Sequence, residues 1–422
     1  MKLGLTLPVI GEDGSDDSYG LAWNEDTGVF TRLGTIDSYS ATYSNKPFSN
    51  VPDYLLPIQI GMKRCVMEDD GTVAYYLHPT DSTKKANGDA AVLDGTDGQV
   101  MVEIPEHWWK YEKSGNVHYW WVSPSQKSGW NKFDTAYIGA YEAQVYDHSV
   151  GSIIGGSTSI TVAAEDKLCS VAAGVTAHTN ETRAEYRTLA SQRGTGWHQM
   201  DNNIYAAVIR LMVIEYAAFN FQSKISDGLT NANSTDWSNY NGYSPLHNAG
   251  LTNSLGNVTG EVALEIENYV GGSVTLITQV VSYRGIENPY GHLYKFLDGV
   301  NINNSTVNGS RCYVCKTPAH YADDTDTNYA LVGSLAELDG YGLTLIPIED
   351  GFFPASVGAS STTGLCDYYY TEFDTVPDGG WRVVLVGGSA DSGARAGVFF
   401  VSSSRPSSNV DAKVGARLCA NF

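Results

Sequence analysis

Six cysteines are scattered along the chain, at Cys65, Cys169, Cys312, Cys315, Cys366 and Cys419. Cys312-Tyr-Val-Cys315 is the one close pair. It has no second pair and no neighbouring histidine, so tetrahedral zinc ligation is not expected, and buried, reduced strand residues are. His107, His118, His247 and His292 could serve as bases or ligands, but no HxH or HExxH spacing occurs. The 47 acidic residues could include a glycosidase pair, which needs two carboxylates about 5–10 Å apart. No local motif selects such a pair, so acid-rich loops are expected to be solvated surface. Asn288, Asp298 and Asn301 carry oxygens that could hold a structural calcium ion. Turn hydrogen bonding by their short side chains is the favoured expectation.

The C-terminal run has a different character. Trp381-Arg-Val-Val-Leu-Val-Gly-Gly is followed by Ser389-Ala-Asp-Ser-Gly-Ala-Arg-Ala-Gly, then Val398-Phe-Phe-Val, and finally Val414-Gly-Ala-Arg-Leu-Cys. The apolar segments read as short strands. The glycines between them read as turn or close-approach positions. Small and polar residues fill the intervals, as on a scaffold that carries a contact surface. The adjoining Tyr368-Tyr369-Tyr370 run borders that surface or forms a half-buried strand. Tyrosine offers large contact area at low entropy cost.

Those segments need a β-rich frame to position them. With 44 glycines, 27 tyrosines and 42% hydrophobic residues, the chain suits many short strands and ordered loops. Arg64–Met67 and Thr72–Leu77, divided by Glu68-Asp-Asp-Gly, predict a hairpin. Two helices are expected. Thr182 and Glu185 have capping-box spacing, with Gly194 as the stop. Asp201 caps a second helix whose apolar spacing runs from Ile204 to Ala218. The Asn-rich stretch 231–258 should be a long loop or an insertion. The fold class is therefore α+β. Three units are expected: 1–58, a β region; 59–134, a small β-rich domain; and 135–422, the domain that carries the terminal run.

The net charge of −21 comes from 26 basic and 47 acidic residues. It disfavours nucleic-acid binding, which needs a basic footprint. No window of 18 apolar residues exists, so no membrane insertion is expected. The apolar stretch at the start is too short for a signal-peptide core.

Taken in order, several segments resemble phage tail proteins of gut bacteria that carry a C-type-lectin or formylglycine-generating-enzyme-like domain. They are Thr31-Arg-Leu-Gly, Asp97-Gly-Gln-Val-Met-Val-Glu-Ile-Pro, Tyr137-Ile-Gly-Ala-Tyr-Glu-Ala, Arg193-Gly-Thr-Gly-Trp, Ser282-Tyr-Arg-Gly-Ile-Glu-Asn-Pro-Tyr-Gly-His and the terminal frame. The terminal frame is similar to that of proteins diversified by retroelements, in which codons between fixed residues are rewritten at adenines. The resemblance implies a C-type-lectin-like unit over 135–422, with its variable region at about 381–419. Gly387, Gly388, Gly397, Gly415 and Arg417 would be frame residues, and Arg284 and Glu287 a buried ion pair. Ser389, Asp391, Ser392, Arg395, Ser402, Ser404, Arg405, Val410 and Asp411 fit diversified positions. Lys413 does not fit an Asn-codon origin, and joins the expected contact residues through its place in 402–413, as Tyr369 does through the tyrosine run.

The function implied is non-catalytic binding of a bacterial surface receptor, protein or glycan, at a virion tail tip beside other tail proteins. A homotrimer is implied, with residues 1–134 making most of its interface and Trp108, Trp109, Trp120, Trp121 and Trp130 supplying apolar area there; the competing expectation is that these tryptophans seal the junction between domains of one chain. No cofactor is expected. The alternatives are a pilus or surface adhesin of the same fold, a copper-dependent oxidase of the formylglycine-generating type, and a capsule depolymerase. The oxidase would need two thiolates on one metal, and Cys366 and Cys419 lie far apart in sequence.

Overall fold

The computed structural model describes residues 16–44, 49–232, 246–268, 274–349, 351–373 and 379–422. Strands dominate, and the described residues contain four helices: α1 (Pro57–Gly61), α2 (Arg183–Ser191), α3 (Asn202–Tyr216) and α4 (Phe221–Lys224). The fold is a mostly-β α+β architecture. Both expected caps form: Thr182 and Glu185 make a reciprocal capping box on α2, and the Asp201 side chain accepts from the Ile204 N–H on α3. The end of α3 comes earlier than the apolar spacing implies. Ala217 is left-handed, with φ 48°, and takes the chain out of the helix before Ala218.

Helix α3 is the pillar of the molecule. Every residue in it except Asn203 is buried, which marks a helix enclosed on all sides rather than amphipathic. Arg210 lies 3.7 Å over the Trp109 ring, and the Tyr205 hydroxyl donates to Val398 O at 2.8 Å. At its C-terminus the orphan carbonyls of Ile214 and Glu215 accept from the Arg32 guanidinium at 2.7 and 2.9 Å. One helix thus ties the N-terminal strands to the terminal frame.

A five-stranded sheet runs in the order Phe30–Gly34, Tyr19–Asn24, Val117–Ser123, His107–Ser114, Asn131–Phe133. A seven-stranded sheet contains the predicted hairpin, with Cys65 opposite Tyr76, and continues through Gln99–Ile104 and Ala136–Gly139 to Leu418–Ala420 and Trp197–Gln199. The first sheet joins residues on both sides of position 58, and the second joins both sides of position 134. The boundaries expected there do not part hydrogen-bonded units. The largest hydrophobic cluster runs from Tyr19 to Cys419 and draws on residues from all three expected units, with two smaller clusters beside it.

The tryptophans divide between packing within the chain and the outer face of the sheet. Trp109 and Trp120 are buried within the chain, Trp109 beneath Arg210 and Trp120 stacked on Phe352. They belong to the face of the sheet turned toward α3. Strand alternation leaves Trp108 and Trp121 on the other face, half-buried, with Trp130 against Trp121. Of the Asn-rich stretch 231–258, residues 233–245 lie outside the described residues. No helix of the described residues is long and apolar enough to cross a membrane.

Candidate recognition surface

The terminal frame lies in the largest sheet. Its strands run in the order Ala330–Leu335, Gly309–Val314, Tyr294–Ser305, Gly380–Gly387, Gly397–Arg405, Tyr368–Thr371, Gly340–Leu345, Pro354–Val357. Gly380–Gly387 and Gly397–Arg405 pair antiparallel, and residues 388–396 connect them. Two glycines fix this connection. Gly388 has φ 74°, and a Cβ there would lie 2.7 Å from that of Ala396. At Gly397 the space for a Cβ is taken by the Asp367 carboxylate.

The loop backbone is pinned from outside. Ala390 N donates to His292 O at 2.8 Å, Gly393 N to Thr230 O at 2.8 Å, and Ala232 N to Ala390 O at 2.7 Å. The buried Ser389 and the half-buried pair Asp391 and Lys413 fix the loop further. Ser389 Oγ donates to Asp391 Oδ1 at 2.6 Å, and Lys413 Nζ pairs with Asp391 Oδ2 at 2.7 Å. A backbone held this way presents outward side chains with little ordering cost on binding.

The expected contact residues divide by exposure. Arg395, Arg405 and Val410 are exposed, and Ser392, Ser404 and Asp411 are half-exposed. Asp391 and Lys413 are occupied with each other. Ser389, Ser402 and Tyr369 are buried and cannot be contact residues in this conformation. For Tyr369 the reason is alternation. In Tyr368–Thr371 successive side chains point to opposite faces, so Tyr369 turns inward, where its hydroxyl meets Ser403 Oγ at 2.8 Å. Tyr368 and Tyr370 are the outward pair.

Those two tyrosines belong to a row of rings on one face of the sheet. Centroid separations are 5.1 Å for Tyr341–Tyr368, 4.5 Å for Tyr368–Tyr370, 5.8 Å for Tyr370–Phe400 and 5.3 Å for Phe400–Tyr294. Arg395 caps the row. Its guanidinium lies 5.1 Å from the Tyr368 ring centroid and 5.9 Å from that of Tyr370, and one Nη1–H donates to the Tyr370 hydroxyl. The residues come from four strands distant in sequence. Tyr294 and Tyr341 carry no local signal that would have singled them out, because only the strand order brings them beside Tyr368 and Tyr370.

Beneath this surface lies a buried polar network. Arg417 donates to the carbonyls of Gly139 at 2.8 Å, Glu287 at 2.6 Å and Asn288 at 3.0 Å. Glu142 meets Lys295 Nζ at 2.9 Å and His292 Nδ1. Burial alone would raise the Glu142 carboxyl, but the Lys295 and His292 charges outweigh it and hold it well below the ordinary carboxylate range. Gly387 and Gly415 flank Lys295: Gly387 would place a Cβ 3.3 Å from Lys295 Nζ, and Gly415 pairs with the Lys295 backbone.

Arg284 and Glu287 do not pair with each other. Arg284 and Gly285 form the two-residue turn between Tyr283 and Ile286, and the Arg284 side chain turns toward α3, where Nη2 lies 2.7 Å from Glu215 Oε1. Glu287 lies on the strand opposite Ser282 and accepts from Gly250 N, Thr252 N and Thr252 Oγ1 at 2.8–3.0 Å. A turn residue and a strand residue three positions on need not share a side.

The oxygen set considered for calcium is split between networks. Asp298 accepts a fork from Arg187 at 2.7 and 2.8 Å, and Asn301 Oδ1 accepts from Arg183 at 2.5 Å. Asn288 sits apart, beside Glu142 and His247. Among the described residues no group of three or more His, Cys, Asp or Glu is placed to hold a metal. All six cysteines are free and buried. Burial pushes the Cys366 thiol up to about 12 and lifts Cys65, Cys312 and Cys419 as well, so thiolate, the reactive form, is disfavoured. Burial lowers His107 to about 4, and burial with the His292 charge lowers His247 to about 4.

Compared with models of protein families and with curated proteins, the chain matches none.

Proposed function

We propose that the chain is a non-catalytic receptor-binding protein at a phage tail tip, which grips a bacterial surface receptor through the face around Arg395, Tyr368 and Tyr370. The observation that carries this reading is the division of labour in residues 387–417. Backbone and frame residues are locked by buried partners, while Ser392, Arg395, Ser404, Arg405 and Val410 project from them. A fixed frame under replaceable side chains is what a diversified binding protein needs. Tyrosine and arginine are the residue types that dominate binding energy at interfaces. The burial of all six thiols favours binding over thiol oxidation. Assembly as a homotrimer would multiply modest single-site affinity through avidity.

The test uses labelled full-length protein on a panel of gut bacteria, read by flow cytometry. Binding to at least one strain is expected, with loss in the Arg395→Ala, Arg405→Ala double variant at unchanged melting temperature. Equal loss of folding and binding, or binding indifferent to both substitutions, would defeat the reading.

A further inference from the structure

We infer that the partner of this surface is a protein epitope that presents carboxylates, and that Arg395 is the residue that receives one of them. The inference rests on the binding function proposed above and specifies its ligand.

The charge argument starts from Arg395. The chain has 47 acidic and 26 basic residues, so a cation has acidic neighbours in excess. Several cations near the surface are paired with carboxylates: Lys413 with Asp391, Arg187 with Asp298, Lys167 with Asp69. Arg395 is exposed and has no carboxylate partner among the described residues. Its guanidinium is held instead by Tyr368 and Tyr370, with one N–H spent on the Tyr370 hydroxyl. The remaining donors of a positioned planar fork suit a carboxylate, which they can bind through two parallel hydrogen bonds. Arg405, at the far end of the strand Gly397–Arg405, is likewise exposed and without a carboxylate partner among the described residues.

The shape argument selects protein. Sites for small molecules are concave, and clefts of about 780 and 550 Å³ lie elsewhere, lined by Glu215 and Arg284 in one and by Asp69 and Arg193 in the other. Tyr341, Tyr368 and Tyr370 stand half-exposed on one face of a sheet, and Tyr294 lies half-buried beyond the fully buried Phe400. From Tyr294 to Tyr341 the ring row, with the buried Phe400 within it, crosses four strand spacings of about 4.8 Å, roughly 19 Å in all, and Tyr368, Tyr370 and Tyr341 are its half-exposed end around Arg395. Their rings are not coplanar: Tyr341 and Tyr368 stand at 83°, Tyr368 and Tyr370 at 47°. Tilted rings offer edges and hydroxyls to an irregular protein surface rather than a flat shelf for stacked sugar rings. Serines at 392 and 404 add adaptable hydrogen bonding, the mixture found in antibody paratopes.

The experiment treats cells of a bound strain in three ways: proteinase K, periodate, and carbodiimide with ethanolamine, which amidates surface carboxylates. Full-length protein, Arg395→Ala, Arg395→Lys and Tyr368→Ala are then titrated, with melting temperatures measured in parallel. Proteinase K and amidation are expected to abolish binding, and periodate to leave it. Arg395→Ala should lose at least about tenfold in affinity, the scale of an interface hot spot, and Arg395→Lys should recover little of it. Periodate-sensitive, protease-resistant binding would overturn the protein epitope and leave the receptor-binding function standing. Protease-sensitive binding indifferent to amidation or to Arg395 would overturn the carboxylate contact. Binding to no strain of the panel would overturn both the inference and the reading beneath it.

Discussion

The Asp367 carboxylate occupies the place where residue 397 would carry a side chain. A Cβ built on Gly397 would lie 2.1 Å from Asp367 Oδ2 and 2.2 Å from Oδ1. The same carboxylate accepts from Phe399 N at 2.8 Å, so it fastens the start of the strand Gly397–Arg405 to the start of Tyr368–Thr371. The connection 388–396 and the tyrosine row are thereby joined at their base, as Arg395 joins them at the surface. A glycine at 397 is a steric requirement there, since its backbone is not in the left-handed region.

Gly397→Ala should therefore destabilise the protein by about 1–3 kcal/mol or more, as overpacking of a tight core does. Asp367→Ala alone removes the partner of a buried N–H, at about 1–3 kcal/mol. Urea denaturation of both single variants and the double variant should show strong non-additivity, with the double variant less unstable than the sum predicts. Simple additivity would mean that the two residues do not compete for the same space.

Asp367 is fully buried, and burial pushes its carboxyl well above the ordinary range, with only the Phe399 N–H opposing. A carboxyl with a raised folded-state pKa binds its proton more tightly when folded. Its contribution is most favourable below the unfolded value of 3.8 and is lost as pH rises from there toward the folded pKa. Asp367→Asn removes that loss. The variant should melt higher than the parent at pH 8, and the gap should narrow as pH falls toward 4, as differential scanning fluorimetry across that range would show. A gap independent of pH would contradict a protonated Asp367.

Arg417 is buried and serves three carbonyls through one planar fork. Arg417→Met strands those acceptors and should cost about 3 kcal/mol or more. Arg417→Lys should rescue little, because an ammonium cannot reproduce the fork. Soluble yield and urea midpoints of the two variants decide this.

Tyr369→Phe and Tyr370→Ala separate the two sides of one strand. The first removes a buried hydroxyl contact with Ser403 and should cost about 1 kcal/mol without changing cell binding. The second removes part of the support of Arg395 and should weaken binding while stability changes little. The reverse pattern would place the recognition face on the other side of the sheet.

A trimer would use the outer face of the five-stranded sheet, where Trp108, Trp121 and Trp130 remain half-buried in the single chain. Trp121→Glu is expected to shift light-scattering mass from trimer to monomer. A monomeric parent at micromolar concentration would refute the assembly.

The sequence by itself determined the local elements. Capping residues placed the starts of α2 and α3, the Glu68-Asp-Asp-Gly turn placed a hairpin, and apolar runs between glycines placed the two frame strands. These follow from interactions over a few residues, which spacing reports directly. What the tertiary structure decided is which faces and which partners. A three-tyrosine run has two phases, and only the core beneath Tyr369 chose between them. Arg284 lies three residues from Glu287 yet pairs with Glu215, because a two-residue turn aims it at α3. Strand pairing across positions 58 and 134 is likewise a tertiary matter, because it depends on long-range hydrogen bonds that no local pattern encodes. Tyr341, Tyr368, Tyr370 and Tyr294 form one surface only because strand order, set by packing of the whole sheet, lays their strands within reach of one another.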